Sequence, residues 1–265
     1  MDSVNPAMIR HASYLHRLIA TGFSFVVFGI GGVLLRYTVF PILYLLVSDR
    51  LLQRRYSRRV VSGSFRMFVE MMRALGVLEY RVHGIEKLGK PGQLIIANHP
   101  SLIDVVFMIA FIPDANCVIK SSLKRNPFMY GPVTAAQYVE NDPAAEMIEQ
   151  SCAQLNEGQT LILFPEGTRT IPQQPLQFHR SAAHIAIQAA TKLTPVIIRV
   201  HPTTLTKAEP WYRIPPKRVI FSMDVRDDID LEPYRKDTCL PRTSRALNAF
   251  LLDFFNQEIA SHGSD

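Results

Sequence analysis

A histidine and an aspartate stand five residues apart in Asn98-His99-Pro100-Ser101-Leu102-Ile103-Asp104. An imidazole oriented by a carboxylate is the smallest general-base unit a protein can build. On one ideal helix, five positions would set the two side chains about 140° apart. Pro100 biases His99 away from helical geometry. The spacing therefore predicts His99 on a turn and Asp104 in the first turn of a helix. Ser101 with Asp104 three residues later also reads as a helix N-cap with an acidic partner. Asparagine, proline and serine are ordinary turn residues. On the heptad alone both readings stand.

The flanking runs say where such a turn must sit. Leu94 to Ala97 reads as a buried strand, and Leu102 to Ile112 as a buried helix. Polar residues at the C-terminal mouth of a strand are where open α/β sheets place their chemistry. The pattern repeats later. Thr160 to Phe164 reads as a strand and runs into Phe164-Pro165-Glu166-Gly167-Thr168-Arg169. Gly167 permits a positive φ or close backbone approach. Arg169 can grip a phosphate with its fork of donors, and Thr168 can donate to the same oxygens. A salt-bridged turn is the plainer reading of this segment taken alone.

From residue 80 onward short apolar runs alternate with helical patterns. Val82 to Ile85, Cys117 to Lys120, Val196 to Val200 and Val219 to Met223 read as further strands. Asp142 and Pro143 open a helix to about Asn156 that Gly158 closes, and Ser181 to Leu193 and Leu247 to Ile259 read as helices. Apolar strands separated by helices predict an α/β fold: a mainly parallel sheet covered by helices on both faces. Pro202 to Pro216 is a proline-marked loop.

The N-terminus differs in kind. Leu18 to Leu35 carries no charge, and Thr38 to Val47 is apolar again after Arg36 and Tyr37. The first run is just long enough to cross a bilayer; the second is too short alone. It is too long for a signal peptide and has no small-residue cleavage site. The breaks at Arg36 and Pro41 favour a shallow helical hairpin over a span. Arg50, Arg54, Arg55, Arg58 and Arg59 follow and place the downstream domain in the cytoplasm. Asp49 to Leu75 reads as an amphipathic helix, apolar at Leu52, Tyr56, Val60, Phe68, Met72 and Leu75, with the arginines laid on anionic headgroups. The expected organisation is an anchoring segment over residues 1–77 and a catalytic domain over 78–265.

Taken together, Asn98-His99-Pro100-Ser101-x-x-Asp104 followed by Phe164-Pro165-Glu166-Gly167-Thr168-Arg169 strongly resembles the glycerolipid acyltransferase family, 1-acylglycerol-3-phosphate O-acyltransferase type. The resemblance covers roughly residues 80 to 225 and includes Lys120 in Val118 to Leu123, Pro127, Gly131 and Thr194-Pro195-Val196-Ile197. It implies that His99 is the base and Asp104 its orienting partner, with no acyl-enzyme. It implies that Lys120, Glu166, Gly167, Thr168 and Arg169 bind the acceptor, with Asn98 and Ser101 supporting the turn. Acyl-carrier protein or acyl-CoA is the implied donor and a lysophospholipid the acceptor, at the cytoplasmic face of an inner membrane. One departure bears on the acceptor: Asn141 stands where family members often carry an arginine. A non-standard acceptor, or a catalytically silent membrane scaffold, are the alternatives.

The net charge of +6 fits phosphate-bearing partners. No helix-turn-helix, RNP or zinc pattern points to nucleic acid. Lys124 and Arg125 read as donor-phosphate contacts or a solvated basic turn. His179 and His184 lack a completing ligand set, and His83 and His201 are isolated, so no metal and no cofactor is expected. Cys117, Cys152 and Cys239 form no CxxC pair and read as small core residues.

Overall fold

The computed structural model describes residues 6–261 apart from 172, 208 and 238, with side chains from residue 13 onward. The order begins with α1 (Pro6–Leu34), a π-helical turn (Leu35–Val39), α2 (Phe40–Leu46) and α3 (Arg50–Ala74). There follow β1 (Leu78–His83), β2 (Gln93–Ala97), α4 (Asp104–Phe111), β3 (Asn116–Ile119), α5 (Tyr130–Ala136) and β4 (Val139–Glu140). The chain continues through α6 (Ala144–Asn156), β5 (Leu161–Leu163), α7 (Ser181–Ala189), β6 (Lys192–His201), β7 (Val219–Val225), α8 (Glu232–Arg235) and α9 (Leu240–Ala260).

The strands form one sheet in the order β1-β7-β6-β2-β5-β3-β4. Every neighbouring pair is parallel except β6 with β7. The all-apolar strands feed two cores by simple alternation. Ile95 and Ala97 join a core with Val61, Phe65, Phe107 and Val133, from α3, α4 and α5. Leu94 and Ile96 join the opposite core with Leu155, Ile185, Leu247 and Phe255, from α6, α7 and α9. Helices therefore cover both faces, as the apolar strands require. Phe107 on α4 is fully buried, its ring 3.8 Å centroid to centroid from Phe221 on β7.

Some boundaries differ from expectation. The helix opening at Ser181 stops at Ala189, because Thr191 N–H donates to Gly92 O at 2.9 Å and Lys192 already pairs with Gln93. Cys117 is buried, but Cys239 is exposed ahead of α9 and is no core residue.

The N-terminal helices depart further. No reversal occurs at Arg36 or Pro41. The helix runs from α1 into α2 through the π turn, and its residues Ser13–Leu46 are long and apolar enough to cross a membrane. A π turn is one way to absorb a proline, which lacks an N–H and crowds the preceding turn. Phe40 N–H reaches back to Leu35 O across it. Arg36 does not break the helix: its guanidinium lies 4.4 Å from the Tyr130 ring centroid. Leu15, Ile19, Phe23, Val26, Ile30 and Leu34 form an exposed apolar row along α1.

The arginines of α3 are not a free headgroup face. Arg58 is buried and donates to Ala136 O at 2.9 Å and Gln159 Oε1 at 2.8 Å. Arg55 pairs with Asp114 at 3.0 Å, Arg59 with Asp114 at 3.8 Å, and Arg54 with Glu157 at 3.4 Å. The face of α3 turned to the core is Ser57, Val61, Phe65, Val69 and Met72, so Leu52 and Tyr56 lie exposed.

Candidate active site

The sheet order sets the site. Adjacent parallel strands β6, β2, β5, β3 and β4 deliver to one edge the 202–216 loop, His99, the Glu166–Arg169 turn, Lys120 and Asn141. The chain passes from β2 to β3 through α4 and leaves the place between them to β5, a topological switch point of the kind where α/β sheets open a crevice.

The His99 turn is held on several sides. Asn98 stands in for a strand residue: its Nδ2 donates to Ile198 O at 2.8 Å and its Oδ1 accepts Ile198 N–H at 2.8 Å. Ser101 Oγ donates to Thr204 O at 2.9 Å, and Leu102 N–H donates to Leu205 O. Both supporting residues are thus tied to β6 and the loop after it. The Phe164 ring lies 4.5 Å from the His99 ring, centroid to centroid.

His99 Nδ1 meets Asp104 Oδ2 at 2.9 Å, and the same oxygen accepts Ser101 N–H at 2.7 Å. The two readings of the heptad coexist. Asp104 caps the turn ahead of α4 and orients the imidazole, leaving Nε2 for the cavity that His99 lines. Asp104 is fully buried, and its Oδ1 has no partner among the described residues. Burial pushes its carboxyl up to about 6, against the opposing pull of the His99 and Ser101 hydrogen bonds. The native state therefore holds this proton more tightly than the unfolded chain. The group's contribution to stability is complete below its ordinary 3.8 and is lost as pH rises through about 6. At neutral pH the buried carboxylate costs stability. Asp104→Asn should be at least as heat-stable as the parent at pH 7, while turnover collapses. A lower melting temperature at pH 7 than at pH 5 in the parent, abolished in the variant, is the expected signature.

A cavity of about 820 Å³ opens from His99 between α1, α3, α4 and the 202–216 loop. Lys120, Asn141, Gly167, Thr168 and Arg169 line it with His99, and Phe28, Phe65 and Ile109 are among its apolar walls. Gly167 takes φ +63°, and a side chain there would strike His179, whose ring packs over it. Asn141 spends its Oδ1 on Ser121 N–H at 3.2 Å.

Glu166 departs from its expected place on the acceptor. Its carboxylate accepts His99 N–H at 2.8 Å and the Thr170 hydroxyl at 2.8 Å, while Thr170 N–H donates to His99 O at 2.7 Å. It grips the main chain of His99 from behind, and burial raises its carboxyl above the ordinary range. Arg169 Nη1 donates to Leu205 O at 2.8 Å and Thr206 O at 3.0 Å, clamping the loop as well as lining the cavity. Lys124 pairs with Glu140 rather than standing free. Among the described residues no His/Cys/Asp/Glu group is arranged to hold a metal.

Residues 79–199 match the family model described as Acyltransferase. The chain belongs to the glycerolipid acyltransferase family. The acyltransferase is 30% identical over 163 residues to a 1-acyl-sn-glycerol-3-phosphate acyltransferase of Saccharomyces cerevisiae, covering 56% of this chain and 51% of that protein. It is 24% identical over 145 residues to the protein of the same name from Pseudomonas aeruginosa, covering 52% of this chain and 56% of that protein. The acyltransferase spans about half the length of the curated relatives it matches. Its fold is that of the 1-acyl-sn-glycerophosphate (LPA) acyltransferase PlsC from Thermotoga maritima, with a TM-score of 0.73, 17% identity, and coverage of 96% of this chain and 100% of that one.

Sequence reasoning missed the grip of Glu166 on His99, the stacking of Phe164, and two further cations in the cavity, Arg17 and Lys217. Only Phe164 had a local signal, being the last apolar residue before the turn.

Proposed function

We propose that this acyltransferase moves a fatty acyl group from an acyl thioester, on acyl-carrier protein or coenzyme A, to the hydroxyl of a lysophospholipid such as 1-acylglycerol-3-phosphate. The observation that carries the reading is the His99–Asp104 pair opening onto a long apolar cavity with basic side chains beside it. An apolar channel suits an alkyl chain, and Lys120 and Arg169 suit a phosphate near the reacting hydroxyl.

His99 Nε2 takes the acceptor's hydroxyl proton as the oxygen attacks the thioester carbonyl carbon. The tetrahedral intermediate then expels the thiolate, which recovers that proton from the imidazolium. Asp104 holds the tautomer and balances the transient charge. No acyl-enzyme forms on this route. Glu166 acts only through the position of His99.

The exposed apolar row of α1 and the length of the Ser13–Leu46 helix support membrane attachment by residues 1–77, with the catalytic domain of residues 78–265 on the cytoplasmic side of an inner membrane. Anionic lipid remains part of this reading through the net basic charge, with less weight on α3, whose arginines are largely paired. Asn141 in place of an arginine supports a second reading, the same chemistry on an acceptor with a different head group. Purified protein offered one acyl thioester and a panel of acceptors, with and without phosphate, separates these. Preference for lysophosphatidate supports the first reading. Preference for another acceptor supports the second, and no turnover of any acceptor leaves a membrane scaffold.

A further inference from the structure

The wall of the large cavity is unusually one-sided in charge. Arg17, Lys120, Arg169 and Lys217 line it, and among the described residues no aspartate or glutamate does. Lys120 and Arg169 belong to the turns around His99. The other two do not. Arg17 lies on the apolar helix α1, and a cation in such a segment is costly unless it faces a partner or a polar cavity. It is 8% exposed, spends Nη2 on Pro216 O at 2.6 Å, and keeps a buried Nε with no partner. Thr21 and Ser24 follow it on the same cavity-facing stripe. Lys217, one residue beyond that carbonyl, is exposed and forms no ion pair among the described residues. Two cations with spare donors thus stand together where the cavity meets solvent.

Register places them well away from the reacting end. Ala97, two residues before His99, pairs with Val196, and β6 runs on to His201, which pairs with Ile220 on β7. Lys217 stands just ahead of β7. Two strand spacings and five residues of rise put this pair on the order of 15–20 Å from the His99 turn. The phosphate of a glycerol phosphate is only a few bonds from the hydroxyl that attacks, so it cannot span that distance while reacting. The donor can. Its thioester is joined to a phosphate by the two amide-linked segments of a pantetheine arm, whose extended reach is roughly 15 Å.

Resting on the acyl-transfer reading above, we propose that Arg17 and Lys217 form a second anion site that holds the phosphate of the donor's pantetheine arm, a group shared by acyl-carrier protein and coenzyme A. Lys217 meets it from the solvent side and Arg17 from within, fixing the arm so that its thioester lies at His99.

Binding of octanoyl-phosphopantetheine and octanoyl-pantetheine to the detergent-solubilised full chain tests this without relying on turnover. The phosphate should tighten binding about tenfold or more, as expected for a charge-assisted hydrogen bond. Lys217→Gln and Arg17→Gln should each erase most of that difference, and Arg17→Lys should restore part of it. Binding of octanoyl-pantetheine and of lysophosphatidate should change less than about twofold. Lys217→Gln breaks no observed hydrogen bond, so its effect is free of the α1 clasp that Arg17 also makes. A phosphate that adds no affinity, or a phosphate effect that survives both substitutions, overturns the proposal. So does selective weakening of lysophosphatidate, which would assign the pair to the acceptor. If phosphate-dependent binding holds while no acceptor is turned over, the acyl-transfer reading fails and the anion site stands.

Discussion

His99→Ala lowers the rate of acyl transfer by about 10²–10⁴-fold, with little change in the KM for the acceptor. The direction follows from where the imidazole sits. Nδ1 is committed to Asp104 at 2.9 Å, so the side chain has one working nitrogen, and it serves the cavity. Removing the ring takes away the proton acceptor without touching Lys120 or Arg169, so loss should fall on kcat. The fold should survive. Asn98, Ser101 and Leu102 hold the turn through Ile198, Thr204 and Leu205, and Glu166 holds the His99 N–H, which alanine also carries. Unchanged thermal unfolding with lost turnover is the expected pair of results. Near-normal turnover in the alanine variant would remove His99 from the chemistry. A rise in acceptor KM with unchanged kcat would recast it as a binding residue.

The parts of this site that were legible in sequence are those whose signal is local. Leu94 to Ala97 and Leu161 to Leu163 are apolar at every position, which only a strand buried on both faces requires. His99 and Asp104 are close because a proline and a helix start lie between them. Gly167 could be assigned its positive φ from composition alone. What was not legible depends on partners distant in sequence. Glu166 looks like an acceptor ligand until the chain brings it under His99, 67 residues away. Arg58 looks like one of several surface arginines until the Ala136 carbonyl, 78 residues on, takes its Nε–H. β4 spans two residues, too few for any period to show. The break expected at Arg36 and Pro41 became a π turn because the helix gains more by continuing across α5 than by folding back. Its fit there is governed by a glycine whose importance no local pattern reveals.

That glycine is Gly32, and Gly32→Val should be among the most damaging changes outside the chemistry. A Cβ at this position would lie 2.0 Å from Phe128 O, a backbone atom that cannot swing aside. The same seam is tight from the other side, where a Cβ on Gly131 would lie 2.5 Å from Arg36 Cβ. Between them, α1 and the Phe128–Gly131 segment touch backbone to backbone. Valine must push α1 outward, and α1 carries Phe25, Phe28 and Gly29 of the cavity wall. Overpacking of this kind costs about 1–3 kcal/mol, and a cavity wall displaced by about 1 Å costs on the order of 10²-fold in rate. Gly31→Val is the matched control. It makes the same change of helix propensity on the neighbouring residue, where a Cβ meets nothing within 4 Å. The position-32 variant should melt lower and turn over slowly, and the position-31 variant should stay close to the parent in both. Equal effects at the two sites would mean that valine acts through helix propensity alone, and the close seam between α1 and Phe128 would not be what seats the cavity wall.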